Sequence, residues 1–129
     1  MAYEETLVTQ SYKAASDFSD NQYRLVEISA DDTVDLADSS TADIIGVNQG
    51  TPDSGEAAAV AISGVTKVVA GESLSAGNLV TSGSDAKAEK AETGSSDDIE
   101  DNTRILGKVV NGADSDGYAS VLIDKQLTG

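Results

Sequence analysis

The sequence predicts an all-β fold, a small single-domain β-barrel or sandwich with an extended N-terminal arm. Three observations predict it. Apolar residues recur at period two or in short runs, the spacing of strands rather than helices. Gly, Asp, Ser and Asn separate these runs closely, as turns between short strands require. The one stretch with helical propensity, 84–91, is rich in Ala, Lys and Glu but has no apolar stripe by which to dock, so it reads as an edge strand or loop.

The elements follow in chain order. Residues 1–16 are an N-terminal arm or the first strand, with Tyr3, Leu7, Val8 and Tyr12 as the apolar members of a polar stretch and a strand expected at 7–12. The rest, 17–129, reads as a single β domain. A strand at 23–29 carries Leu25, Val26 and Ile28, and Asp31-Asp32 supplies the turn into 33–36, where Val34 and Leu36 alternate with Thr33 and Asp35. A strand at 44–48 leads through the polar turn NQGTPDSGE to 58–63, and Gly64 separates this from a further strand at 65–69. Gly71 and Gly77 relieve steric strain in a tight reversal while Leu74 plugs the core, and a strand follows at 79–81. The tract 93–102, TGSSDDIEDN, reads as a solvated loop. Strands at 104–110 and 118–124, joined by NGADSDG, complete the set.

An internal echo supports this reading. Residues 44–62 and 105–123 align at a constant offset of 61 with seven identities in 19 positions, Gly46/Gly107, Asp53/Asp114, Val60/Val121 and Ile62/Ile123 among them. Both copies run strand, polar turn, strand, which predicts two related hairpins in one domain.

Composition excludes several functions. A net charge of -15 on 129 residues far exceeds the magnitude of about 2–8 usual for a small domain, so nucleic acid and anionic membranes are poor partners. No apolar segment reaches the length of a membrane span. Without His or Cys there is no Ser-His-Asp or Cys-His pair, no thiolate nucleophile and no disulfide. No cleft-forming pair of carboxylates with aromatic partners stands out, so no enzymatic activity and no cofactor are expected. Lys67 lies inside a strand-like run, TKV, and does not suit a carrier lysine at a hairpin tip. The weak metal candidates are Asp114 and Asp116, in a Gly-assisted turn of the kind hard cations use. The EF-hand pattern fails there, because its third Asp is missing and Lys125 stands at the twelfth position.

The core is thin. Val, Ile, Leu and Phe together number 28 of 129 residues, close to the roughly 20% below which charged chains tend to be disordered. Burial against neighbouring chains is the expected supplement. The acidic excess with few Lys also fits adaptation to molar salt, where screening is short-ranged.

One order of motifs is distinctive. Tyr23-Arg24-Leu25-Val26 is followed by Ile45-Gly46-Val47, Gly55-Glu56-Ala57, the run 60–68 (VAISGVTKV), Ala76-Gly77-Asn78-Leu79-Val80 and Ile105-Leu106-Gly107. Over residues 10–124 this succession resembles the head decoration, or capsid cement, proteins of tailed viruses. The chain departs from that pattern in the acidic tract 93–102 and in its excess of Asp, which would suit a virus of a halophilic host. The resemblance implies a compact, β-tulip-like barrel module on the outer surface of an icosahedral capsid. There it would bind the major capsid protein and reinforce the shell, commonly as a homotrimer. Tyr3, Leu7, Val8 and Tyr12 are the expected partner-binding residues, by strand addition from the N-terminal stretch. The second reading is a cell-surface or secreted acidic β module for adhesion or carbohydrate binding. A secretion signal would accompany it, and the start MAYEETLV has neither the basic nor the apolar region of one.

Overall fold

The computed structural model describes residues 5–91 and 104–127. Among them are nine strands: β1 (Glu5–Ala14), β2 (Leu25–Ala30), β3 (Thr33–Leu36), β4 (Ile44–Asn48), β5 (Ala57–Val69), β6 (Leu79–Ser82), β7 (Ala88–Lys90), β8 (Arg104–Asn111) and β9 (Tyr118–Leu127). A single 3₁₀ turn, Ser84–Ala86, precedes β7. The predicted loop at 93–102 lies outside the described residues.

One hydrogen-bonded sheet runs β1-β3-β2-β4-β5-β9-β8-β6-β7, and β1 also pairs with β5. That extra pairing closes β1, β3, β2, β4 and β5 into a five-stranded barrel, which removes two sheet edges that would otherwise need cover. The closure has two parts. Residues 9–13 of β1 run antiparallel to 57–61 of β5, while Lys13 and Ala14 pair in parallel with Thr33 and Val34 of β3. The stretch 1–16, open between an arm and a first strand from its sequence, is therefore barrel strand over Glu5–Ala14.

β5 differs from the expectation of two strands broken at Gly64. It is one strand of 13 residues, and Gly64, at φ +95°, sits inside it. A glycine there lets the strand change direction without steric cost. The two halves consequently serve different neighbours: 57–63 pairs with β1 and β4, and 65–69 with β9.

This division produces two cores. Phe18, Val26, Val34, Ala14, Ala58 and Val60 fill the barrel. The larger cluster, with Leu25, Val47, Val68, Leu74, Val80, Leu106, Val109 and Val121, joins the barrel wall to β6, β8 and β9. Leu74 is buried as expected, tied at each side by backbone hydrogen bonds to Ala113. Asn48, fully buried at the end of β4, donates from Nδ2 to the Asn21 and Gly50 carbonyls and so holds both flanking loops.

The sequence echo has a geometric counterpart. In the β4–β5 hairpin Val47 stands opposite Ala61 and Asn48 opposite Val60. Adding 61 to each number gives Lys108 opposite Leu122 and Val109 opposite Val121, the register observed in the β8–β9 hairpin. The two glycines of the repeat do the same task. A Cβ on Gly46 would lie 2.0 Å from the Ala61 carbonyl oxygen, and one on Gly107 would lie 1.9 Å from that of Leu122.

Candidate docking face

Strand alternation sends even-numbered residues of β5 inward and leaves Val65, Lys67 and Val69 on the outer side. Register places Leu122, Ser120 and Tyr118 of β9 opposite these three. Lys108 of β8 pairs with Leu122, Val110 stands beyond it where the β8–β9 register shifts, and Val8 of β1 pairs with Ser63 at the other side. The result is an outer face across β1, β5, β9 and β8. It holds Val8 (48% exposed), Val110 (37%), Tyr118 (52%) and Leu122 (45%), four of the five exposed large hydrophobic residues among those described. The fifth, Ile28, is on β2.

Charge sets this face apart. On the outward side of β5, β8 and β9, Lys67 and Lys108 stand with one carboxylate, Asp124, which alternation places on the side of Leu122. Two cations against one carboxylate leave a balance of +1 on this side, in a chain whose net charge is -15. At one corner Tyr23 meets Tyr118 edge-on, with ring centres 5.6 Å apart at 83°, and the Lys67 ammonium lies 5.7 Å from the Tyr23 ring centre. An aromatic corner, an aliphatic row and a local positive balance form a surface suited to an acidic or neutral protein partner.

Acid collects elsewhere. Glu27 on β2 lies among Asp35, Asp38 and Asp43, and its carboxyl is pushed above the ordinary range, first by partial burial and then by those three negative neighbours. Arg104 reaches Asp43 at 3.5 Å but leaves Glu27 among like charges. Asp17 behaves oppositely, held low by the backbone N–H of Ser19, which donates to its carboxylate at 2.9 Å.

The six residues singled out from sequence fall in different places. Tyr3 lies outside the described residues. Leu7 packs against the larger core and Tyr12 against the barrel core. Val8 is on the outer face, because a one-residue step along β1 reverses the side to which a side chain points. Asp116, in the β8–β9 turn, accepts from Lys87 Nζ at 2.8 Å, and this hydrogen bond and charge hold its carboxyl low. Asp114 shares that turn, its carbonyl accepting from the Gly117 N–H. Among the described residues no three acidic side chains gather as metal ligands. The face residues Val65, Val110, Tyr118 and Leu122 had one available signal, apolar side chains at both parities of the same strand. That pattern means a strand covered on both sides.

No family model matches the chain, and no curated protein matches it. Among solved structures, the crystal structure of the head fiber gp8.5 N base in bacteriophage phi29 is similar. The TM-score is 0.64 at 21% identity, over 92% of this chain and 95% of that one. At that identity the likeness is one of fold.

Proposed function

We propose that this chain is a structural virion protein that sits on the outer surface of an icosahedral capsid, binds the major capsid protein and reinforces the shell. The observation that carries the proposal is the fold it shares, over nearly its whole length, with the base of a phage head fiber. The motif order 23–107 supports the same reading, as does a core of few large side chains that gains from burial against neighbours.

The β1-β5-β9-β8 face is the contact surface in this proposal. It leaves apolar side chains in water, where a monomer gains nothing from them, and it lacks the acidity that would repel an ordinary protein surface. Copies of the chain stand together on the capsid, as a trimer, and the barrel itself is structural rather than catalytic.

The test is co-sedimentation of the full chain with heads assembled from the major capsid protein of the same virus, followed by microscopy of the decorated particles. Saturable binding with added outer density is the expected result. Leu122→Asp combined with Val110→Asp lowers occupancy by about tenfold or more while the melting temperature holds. Heads that never bind the wild-type chain refute the capsid reading; heads that bind wild type and the double variant equally refute the choice of face.

A further inference from the structure

Where the docking face ends, at the Val69–Tyr118 pair, the loops before β2 and after β4 meet the β8–β9 turn around a surface cleft of about 490 Å³. Its size lies within the range of roughly 300–1,000 Å³ typical of small-ligand sites, and it forms where the barrel meets the rest of the sheet. Among the described residues five non-glycine residues have left-handed backbone. One of them, Asp116 (φ 69°), lines this cleft, and three others, Tyr23 (65°), Asp85 (62°) and Ala86 (59°), lie within two positions in the chain of its lining residues Gln22, Arg24 and Lys87. Residues with a Cβ avoid this conformation, a bulky aromatic above all. It persists only where neighbouring structure over-determines it, and such positions gather at sites that hold ligands.

Each of the unusual turns presents a polar or aromatic group. The turn at Tyr23 sets its ring edge-on to Tyr118, so the Tyr118 ring, 52% exposed, is braced as a platform. The turn at Asp85 offers its carbonyl to Arg24 Nη1 at 3.1 Å, which fixes a guanidinium that makes no other hydrogen bond among the described residues. The turn at Asp116 brings its carboxylate to Lys87 Nζ at 2.8 Å.

We propose that this cleft binds a neutral saccharide. Its charged lining is balanced, Arg24 and Lys87 against Asp20 and Asp116, in a chain that is otherwise strongly acidic. An anionic ligand would face two carboxylates and a cationic one two cations, whereas a sugar hydroxyl donates to an Asp and accepts from an Arg or Lys at once. Gln22 and Thr51 add neutral partners of both kinds. The apolar face of a pyranose ring needs a flat, half-exposed aromatic surface, which Tyr118 supplies. The proposal does not depend on the capsid reading.

The experiment is a titration of the full chain with maltotriose, chitotriose, mannotriose and trigalacturonate at up to about 10 mM, read by saturation-transfer NMR and calorimetry. At least one neutral trisaccharide binds, Tyr118→Ala weakens it by about tenfold or more, and Tyr118→Phe retains it. Gln22→Ala, at an exposed position, weakens it as well, and Ile28→Ser, exposed on β2 away from both the cleft and the docking face, leaves it unchanged. Silence from every neutral sugar, binding of trigalacturonate alone, or undiminished binding by both Tyr118→Ala and Gln22→Ala would overturn the proposal.

Discussion

Gly107→Ala is the sharpest test of how the two hairpins pack. The added methyl would stand 1.9 Å from the Leu122 carbonyl oxygen and 2.9 Å from its carbonyl carbon, both on the neighbouring strand. Carbon and oxygen rest no closer than about 3.3 Å, so β8 and β9 must part by more than 1 Å at this point. Ladder hydrogen bonds stretched that far leave the bonding range. Two lost bonds at about 1 kcal/mol each, with overpacking strain and a small gain from stiffening the unfolded chain, give a net loss of about 2–4 kcal/mol. For a domain of this size the melting temperature then falls by about 8–16 °C. Gly46→Ala, whose methyl would meet the Ala61 carbonyl oxygen at 2.0 Å in the equivalent hairpin, falls by a similar amount. Gly55→Ala is the control, since its Cβ meets nothing within 4 Å and only the φ of +86° is strained, at a cost of about 1–2 kcal/mol. The assay is thermal unfolding by circular dichroism, with midpoints in urea as a check. A Gly107→Ala protein that melts within about 3 °C of wild type would refute the close strand approach and the equivalence of the two hairpins with it.

Three further outcomes are expected. Phe18 is fully buried in the small barrel core, so Phe18→Ala costs about 3–5 kcal/mol, and a loss under about 1 kcal/mol in urea unfolding would contradict its place there. Glu27 is an acid with its folded carboxyl raised above 4.5, so the native state binds the proton more tightly than the unfolded chain. Its ionisation therefore removes stability as pH rises through the window above 4.5. Because the group is only partly buried and solvent screens its neighbours, the effect is small. Glu27→Gln raises the melting temperature at pH 7 and loses that advantage below pH 4.5; an unchanged or lowered melting temperature at pH 7 contradicts it. Finally, a net charge of -15 repels itself, so the melting temperature rises between about 0.1 M and 3 M NaCl, and a flat profile would remove the argument for adaptation to high salt.

Much of the strand set is legible without coordinates because its cause is local. The predicted bounds 33–36 and 44–48 coincide with β3, where alternation is clean, and β4, a short apolar run, and Asp or Asn residues bracket both. Gly64 was legible only as punctuation. Whether a glycine ends a strand or bends one depends on the partners on each side, and those partners, β1, β4 and β9, are remote in sequence. The docking face was half legible. Tyr118 and Leu122 on one side of β9, with Val121 and Ile123 on the other, show a strand apolar on both faces, but only pairing reveals that Val65 and Val8 extend that surface while Leu7 and Tyr12 turn to the cores. The convergence of Arg24, Lys87 and Tyr118 has no local signature, since three separate turns bring them to one cleft.

Composition and periodicity by themselves determined the all-β class, the hairpin repeat at offset 61, the missing thiol and imidazole chemistry and the acidic balance. Each depends on side chains within a few positions of one another, or on a count. Tertiary structure alone decided that β1 closes a barrel by a parallel pairing with β3, that the two hairpins join through opposite halves of β5, and that positive charge and exposed apolar side chains share one face. Those outcomes rest on pairings between residues far apart in the chain. A strand's periodicity specifies that it has two faces; the neighbour across the ladder decides which of them meets the core.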